Sequence, residues 1–211
     1  MKVGLEVVTG FLGAGKSAFI NSLISKTIAD KEKIIVLTCE NGNTKIIELN
    51  EDGKTVKCIN FMGESLELNS EIYEAVKKYK PHRIIIEYNG TESLEHLYKC
   101  VFNNETGKLV KLDTIYFICD GMNISFYIKN MGELLIPFIQ NSDVIVINNY
   151  IESKSEKIDE GIKLLESLNH KAQIIKAKSI EDFSNGLDES NLLEDMLIRN
   201  MRVKLLDYTR R

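Results

Sequence analysis

The chain has 211 residues, 44% of them hydrophobic and 27% charged, with thirteen glycines and two prolines; this excludes wholesale disorder and suits one large domain or two small ones. A net charge of −4 argues against a basic nucleic-acid binder, and the longest apolar runs are of strand length, too short for a bilayer. Met1 leads almost directly into a strand-like segment, so no signal peptide is expected, and Cys39, Cys58, Cys100 and Cys119, with no C-x-x-C pair among them, read as reduced thiols of a cytoplasmic protein.

In chain order, Val3 to Thr9 reads as a strand and Lys16 to Ala29 as a helix with Phe19, Ile20, Leu23 and Ile24 on one side. Lys33 to Cys39 is a continuous apolar run, the pattern of a strand buried on both faces. A short strand is predicted at Thr55 to Ile59, and a helix at Leu68 to Tyr79 that stops before Pro81. Arg83 to Tyr88 is again strand-like, followed by a helix from Ser93 to about Phe102. Strands at Leu112 to Cys119 and Asp143 to Asn148 enclose a helical stretch, Gly132 to Gln140, interrupted by Pro137. Ser153-x-x-Glu156 has the form of a capping box opening the helix Glu156 to Leu168. Gln173 to Lys176 is a last strand, and Leu192 to Leu206 a closing helix whose arginines are expected to face solvent. Strand and helix alternate throughout, which predicts a single α/β domain over residues 1–211 with a mostly parallel sheet flanked by helices.

Gly10-Phe11-Leu12-Gly13-Ala14-Gly15-Lys16-Ser17 fits G-x-x-x-x-G-K-[ST] between a predicted strand and a predicted helix. Such a loop turns successive backbone N–H groups inward, and the helix behind it presents its positive end to phosphate. Lys16 is then expected to reach the β- and γ-phosphates, and Ser17 to offer a hydroxyl to Mg²⁺. The fold expected is therefore a three-layer P-loop NTPase.

The string VVTGFLGAGKS resembles the loop of the CobW-like GTPases, relatives of the hydrogenase and urease maturation GTPases. MinD-type ATPases carry a lysine after the first loop glycine, where Phe11 stands here. Ala18 occupies the place of the family's usual Thr, leaving its backbone N–H for the α-phosphate. The resemblance implies an Mg²⁺-dependent switch that binds and hydrolyses GTP, with ATP as the alternative, and assists metal or metal-cofactor delivery to a client enzyme. A homodimer is one way to supply catalytic groups missing from the chain. Family members also carry a C-terminal domain, for which 211 residues leave no room.

Further elements follow from the same resemblance. Glu87 and Gly90 match a Glu-x-x-Gly segment whose acid serves Mg²⁺ and whose amide senses the γ-phosphate. Cys39, Glu40 and Gly42 fall on an Asn-Glu-Phe-Gly segment, with Ile47 where the family has an Asp. Lys16, Glu40 and Glu87 are the expected catalytic groups. The nucleotide contacts expected are Gly10, Gly13, Ala14, Gly15, Lys16, Ser17, Ala18, Gly90, Asn148 and Ala177. The guanine-reading Asn-Lys-x-Asp becomes Asn148-Asn149-Tyr150-Ile151, with Glu152 one residue out of place, so guanine preference should be eroded. Of the family's Gly-Cys-x-Cys-Cys only Cys58 remains; it is expected to hold Zn²⁺ or Co²⁺ with Cys39 and Glu40 if their strands run side by side. His82, His96 and His170 are scattered and expected at the surface. A scaffold or sensor with little hydrolysis is the alternative function. A small-molecule kinase is disfavoured because no arginine lies between Arg83 and Arg199 to furnish a lid.

Overall fold

Branched aliphatic side chains dominate the strands, and their burial on both faces sets the architecture. The computed structural model describes residues 1–40, 44–63, 67–151, 155–190 and 196–210. Its strands are β1 (Val3–Gly10), β2 (Lys33–Thr38), β3 (Leu49–Glu51), β4 (Lys54–Asn60), β5 (Arg83–Glu87), β6 (Val110–Asp120), β7 (Val144–Asn148) and β8 (Gln173–Lys176). Its helices are α1 (Lys16–Thr27), α2 (Leu68–Tyr79), α3 (Leu94–Val101), α4 (Thr106–Leu109), α5 (Ile124–Asn141), α6 (Ser155–Leu168), α7 (Phe183–Glu189) and α8 (Met196–Thr209). All the strands join one sheet in the order β3-β4-β2-β5-β1-β6-β7-β8, parallel except at β3.

Two apolar layers cover the sheet. On one face, Leu5, Val7, Ile84 and Ile86 pack with residues of α2, α3 and α5. On the other, Val8, Ile34, Val36 and Ile85 pack with Phe19, Ile20 and Leu23 of α1 and Phe183 and Leu187 of α7. Burying a side chain such as Phe19 contributes about 1.5–3 kcal/mol. α8 lies at the amino-terminal edge of the sheet. Val203 and Leu206 are buried there, and the Arg210 guanidinium donates to the carbonyls of Lys80 and Pro81, both at 2.7 Å.

Several expectations need correction. α5 begins at Ile124, ahead of the predicted Gly132, and turns through a kink at Met131 (φ −132°, ψ 25°) with Pro137 inside its second half. β3 joins β4 through Asp52 and Gly53, both at positive φ, the geometry of a two-residue hairpin turn. His82 is buried: Nδ1 accepts the Lys33 N–H at 2.9 Å, which leaves Nε2 to donate to Asp207 Oδ1 at 3.0 Å. Ser153 of the capping box, Leu192 and Gly42 lie outside the described residues.

Candidate nucleotide site

β1 is the central strand, and the loop after it opens between the carboxyl ends of β5 and β6, where ligands of open α/β sheets bind. Gly10 (φ 137°) sits so close to β6 that a Cβ would lie 2.0 Å from the Ile118 carbonyl oxygen. From the other side Gly90 presses on the loop: its Cβ would lie 2.3 Å from the Gly10 carbonyl oxygen. Gly13 and Gly15 continue the turn at φ 79° and 101°. The Phe11 ring stacks on Tyr127, centroids 4.3 Å apart, and fixes the loop's flank. Phe19 N–H to Gly15 O, 2.9 Å, is the bond that opens α1, so the N–H groups of Lys16, Ser17 and Ala18 precede it without intrahelical acceptors. Gly15 at the N-cap brings no side chain to compete for them. This is an anion cradle of backbone amides.

Lys16 is buried in the cradle. Its ammonium donates to the carbonyl oxygens of Gly10 and Phe11, each at 3.0 Å, and pairs with Glu40 Oε1 at 3.0 Å. Ser17 Oγ donates to Glu87 Oε1 at 2.6 Å. Burial pushes the Glu87 carboxyl above its usual range; the Ser17 hydroxyl and Lys16 pull it back, and Glu40 adds repulsion. A hydroxyl beside a buried carboxylate short of positive charge is a hard-oxygen donor set of the kind Mg²⁺ takes. The strand order β2-β5-β1 thus brings Glu40, Glu87 and the loop together, though they stand far apart in the chain.

The base side differs from expectation. Asn148 is buried behind the loop, where its Nδ2 donates to the Ala14 carbonyl at 3.2 Å and its Oδ1 accepts the Asn149 N–H at 2.8 Å. It braces the loop. Ala177, expected as a nucleotide contact, has its N–H bonded to Ile147 O at 2.8 Å, and its carbonyl accepts from Tyr150 N–H at 2.9 Å. Asn149, at φ 56°, donates through Nδ2 to Asp120 Oδ2 at 2.7 Å. Ile151 is exposed, and Glu152 lies outside the described residues.

Next to the Ser17–Glu87 pair a cleft of about 380 Å³ opens, lined by Thr38, Glu40, Glu48, Cys58 and Asn60 among others. Cys58 reaches it and Cys39 does not. β2 and β4 run side by side, but Cys58 is level with Val36, whose side chain packs toward α1, whereas Cys39 packs with the layer on the opposite face. Alternation along a strand therefore separates the two thiols, which corrects the expected shared Zn²⁺ or Co²⁺ site. Burial, with Glu40 and Glu87 nearby, pushes the Cys39 thiol up to about 12, so it stays protonated. Among the described residues no group of three or more His, Cys, Asp or Glu is placed to hold a metal ion. Sequence reasoning missed Glu48, which accepts the Cys58 N–H at 2.9 Å, and Asn60, which accepts the Thr38 hydroxyl at 2.8 Å. It also missed Asn21 of α1, whose amide holds the backbone of residues 45 and 47. No spacing pattern marks these residues; only their position four after Ser17, in the case of Asn21, hinted at a shared helix face.

Fold and site together define a P-loop nucleotide-binding domain. The sequence pattern of the CobW/HypB/UreG nucleotide-binding domain matches residues 5–176, and the chain belongs to that family. Zinc-regulated GTPase metalloprotein activator 1 of Schizosaccharomyces pombe is 24% identical over 204 aligned positions, 88% of this chain and 49% of the relative. The Zn(II)-bound YjiA GTPase from E. coli superimposes with a TM-score of 0.62 at 16% identity, over 84% of this chain and 58% of that one. Hydrogenase maturation factor HypB from Archaeoglobus fulgidus gives 0.56 at 17% identity, over 95% and 90%. At these identities the structural likenesses establish the fold. The chain spans about half the length of the curated relative it matches.

Proposed function

We propose that the chain is an Mg²⁺-dependent nucleoside-triphosphate switch, cytoplasmic, that hydrolyses its nucleotide slowly and assists delivery of a metal or metal cofactor to a client enzyme. The observation that carries this reading is the meeting of the amide cradle, Lys16, the Ser17–Glu87 pair and Glu40 at neighbouring strand ends. The delivery part is supported by family membership and by a relative named as a zinc-regulated metalloprotein activator.

On binding, Lys16 exchanges its protein acceptors for β- and γ-phosphate oxygens. Ser17 and Glu87 would hold Mg²⁺, which supplies charge neutralisation across those oxygens. Glu40, released from Lys16, orients the attacking water. The water oxygen bonds to the γ-phosphorus, the bond to the bridging oxygen breaks with its electron pair going to the diphosphate, and both water protons end on the inorganic phosphate. Cys58, on the cleft beside these groups, is the contact for the metal cargo.

Phosphate release measured against a Lys16→Ala blank tests the switch. Mg²⁺-dependent turnover above the blank is expected; tight binding with turnover equal to the blank would establish a scaffold instead. GTP and ATP titrated in parallel should differ by less than about tenfold, because Ile151 cannot accept the guanine hydrogen bonds and an unpaired buried donor costs about 1–3 kcal/mol. Zn²⁺ or Co²⁺ retention should fall in Cys58→Ala and be unchanged in Cys39→Ala; the reverse pattern contradicts the separation of the two thiols.

A further inference from the structure

Phosphoryl transfer gathers negative charge on the γ-phosphate oxygens, and enzymes of this kind meet it with a cation beyond the loop lysine, commonly an arginine. Every described arginine of this chain lies at the wrong edge of the sheet. Arg83, at the start of β5, is buried against Glu6, Glu32 and Thr27. Arg210 is bound to the Lys80 and Pro81 carbonyls, and Arg202 sits 3.6 Å from Asp113. Arg199 lines a small cavity with Gly4, His82 and Arg83, again at the amino-terminal edge. The phosphate cradle is at the carboxyl edge.

Lys45 is differently placed. It lines the same cleft as Ser17, Glu40 and Glu87. Its backbone is fixed: Asn21 Nδ2 donates to the Lys45 carbonyl at 3.0 Å, and Asn21 Oδ1 accepts the Ile47 N–H at 3.0 Å. Asn21 stands one turn beyond Ser17 on α1, so this two-point clamp ties the segment to the helix that carries the expected Mg²⁺ hydroxyl. The Lys45 side chain is exposed and, among the described residues, makes no hydrogen bond or ion pair. Main chain held and ammonium free, it faces a cleft whose other ionisable groups include three carboxylates, Glu40, Glu48 and Glu87. The negative charge of those carboxylates favours a cation at the cleft until a more highly charged polyphosphate enters.

We propose that Lys45 is the cation that contacts the γ-phosphate in cis, doing the work an arginine does elsewhere; this rests on the hydrolytic reading above. The ammonium acts by charge, stabilising the γ-phosphate oxygens as the bond to the bridging oxygen breaks.

Wild type, Lys45→Gln and Lys45→Arg are compared for Mg²⁺-dependent phosphate release, for affinity toward diphosphate and a non-hydrolysable triphosphate, and for capture of diphosphate with aluminium fluoride. Lys45→Gln should lose about tenfold or more in turnover and lose aluminium-fluoride capture, with Lys45→Arg retaining most of both. Diphosphate affinity should stay within about twofold, while the triphosphate-to-diphosphate affinity ratio falls up to about fivefold. Turnover and capture equal to wild type in Lys45→Gln overturn the inference and leave the switch standing. If wild type binds triphosphate without hydrolysing it, the switch reading fails and the affinity ratio alone decides: an unchanged ratio overturns the role of Lys45. Wild type that binds no nucleotide overturns both.

Discussion

Without nucleotide, Lys16 donates to two loop carbonyls and pairs with the Glu40 carboxylate. On the function proposed above, Glu40 stands where a phosphate oxygen would arrive, and triphosphate would have to displace it. Removing its charge should favour binding. Glu40→Gln is expected to raise Mg²⁺-free triphosphate affinity by about tenfold, the worth of one charge-assisted hydrogen bond, while slowing turnover for want of a water-orienting carboxylate. A fluorescent-nucleotide titration checks the first part, and weaker binding would contradict the competition. Gly90 acts through space alone: a methyl group there meets the Gly10 carbonyl at 2.3 Å. Gly90→Ala should therefore weaken triphosphate binding by about tenfold or more by displacing the loop, with far-ultraviolet circular dichroism unchanged.

At the scale of elements, α8 is held to the amino-terminal edge by Val203 and Leu206, by Arg210 on two carbonyls and by the His82–Asp207 contact. Leu206→Ala should cost about 2–5 kcal/mol in denaturant unfolding and leave nucleotide affinity unchanged, since α8 lies across the sheet from the cradle. Most strands were legible because buried parallel strands leave unbroken apolar runs, α1 and α2 because their apolar spacing is helical, and α6 because a capping-box pattern precedes it. α5 is legible only in part: Pro137 marks its second half, and the kink at Met131 breaks the helical period ahead of it. The β3–β4 hairpin carried its own signal, Asp52-Gly53, too short to register beside longer patterns. The glycine loop and the acids beside it were legible as an arrangement for a related reason: a contiguous loop and acids at strand ends depend only on local sequence and strand order. The surroundings of Asn148 and Ala177 were not. Asn148 and Ala177 stand where the family pattern puts them, but neighbours consume their hydrogen-bonding groups, and those partners come from Ala14, Ile147 and Tyr150, remote in the chain or across a turn. Nor could sequence give the register of β4 on β2, which decides that Cys39 and Cys58 face apart.

For the whole molecule, the proposed nucleotide site at the carboxyl edge should cost the empty fold stability. Glu87 is buried with its carboxyl pushed up, foremost by burial and then by Glu40. A carboxyl held above its unfolded-state value binds its proton more tightly in the native protein. Its contribution to stability is then fully present below the unfolded-state pKa and is lost as pH rises through the native one. At neutral pH the empty protein should therefore be less stable than a variant without that charge: Glu87→Gln is expected to melt higher than wild type at pH 8, with the gap closing toward pH 4 as the Glu87 carboxyl is protonated and becomes neutral like the amide. Ligand should reverse the order. Mg²⁺-triphosphate at about 100 times its dissociation constant stabilises wild type by about 2.7 kcal/mol, worth about 2–4 °C per kcal/mol for a chain of this size. Glu87→Gln, lacking the carboxylate expected to meet Mg²⁺, should gain much less. Thermal melts of both proteins at pH 5 and pH 8, with and without Mg²⁺-triphosphate, separate the possibilities. A variant that melts lower than wild type when empty at pH 8 would mean that Glu87 stabilises the fold, and that the site is not held ready at the molecule's own expense.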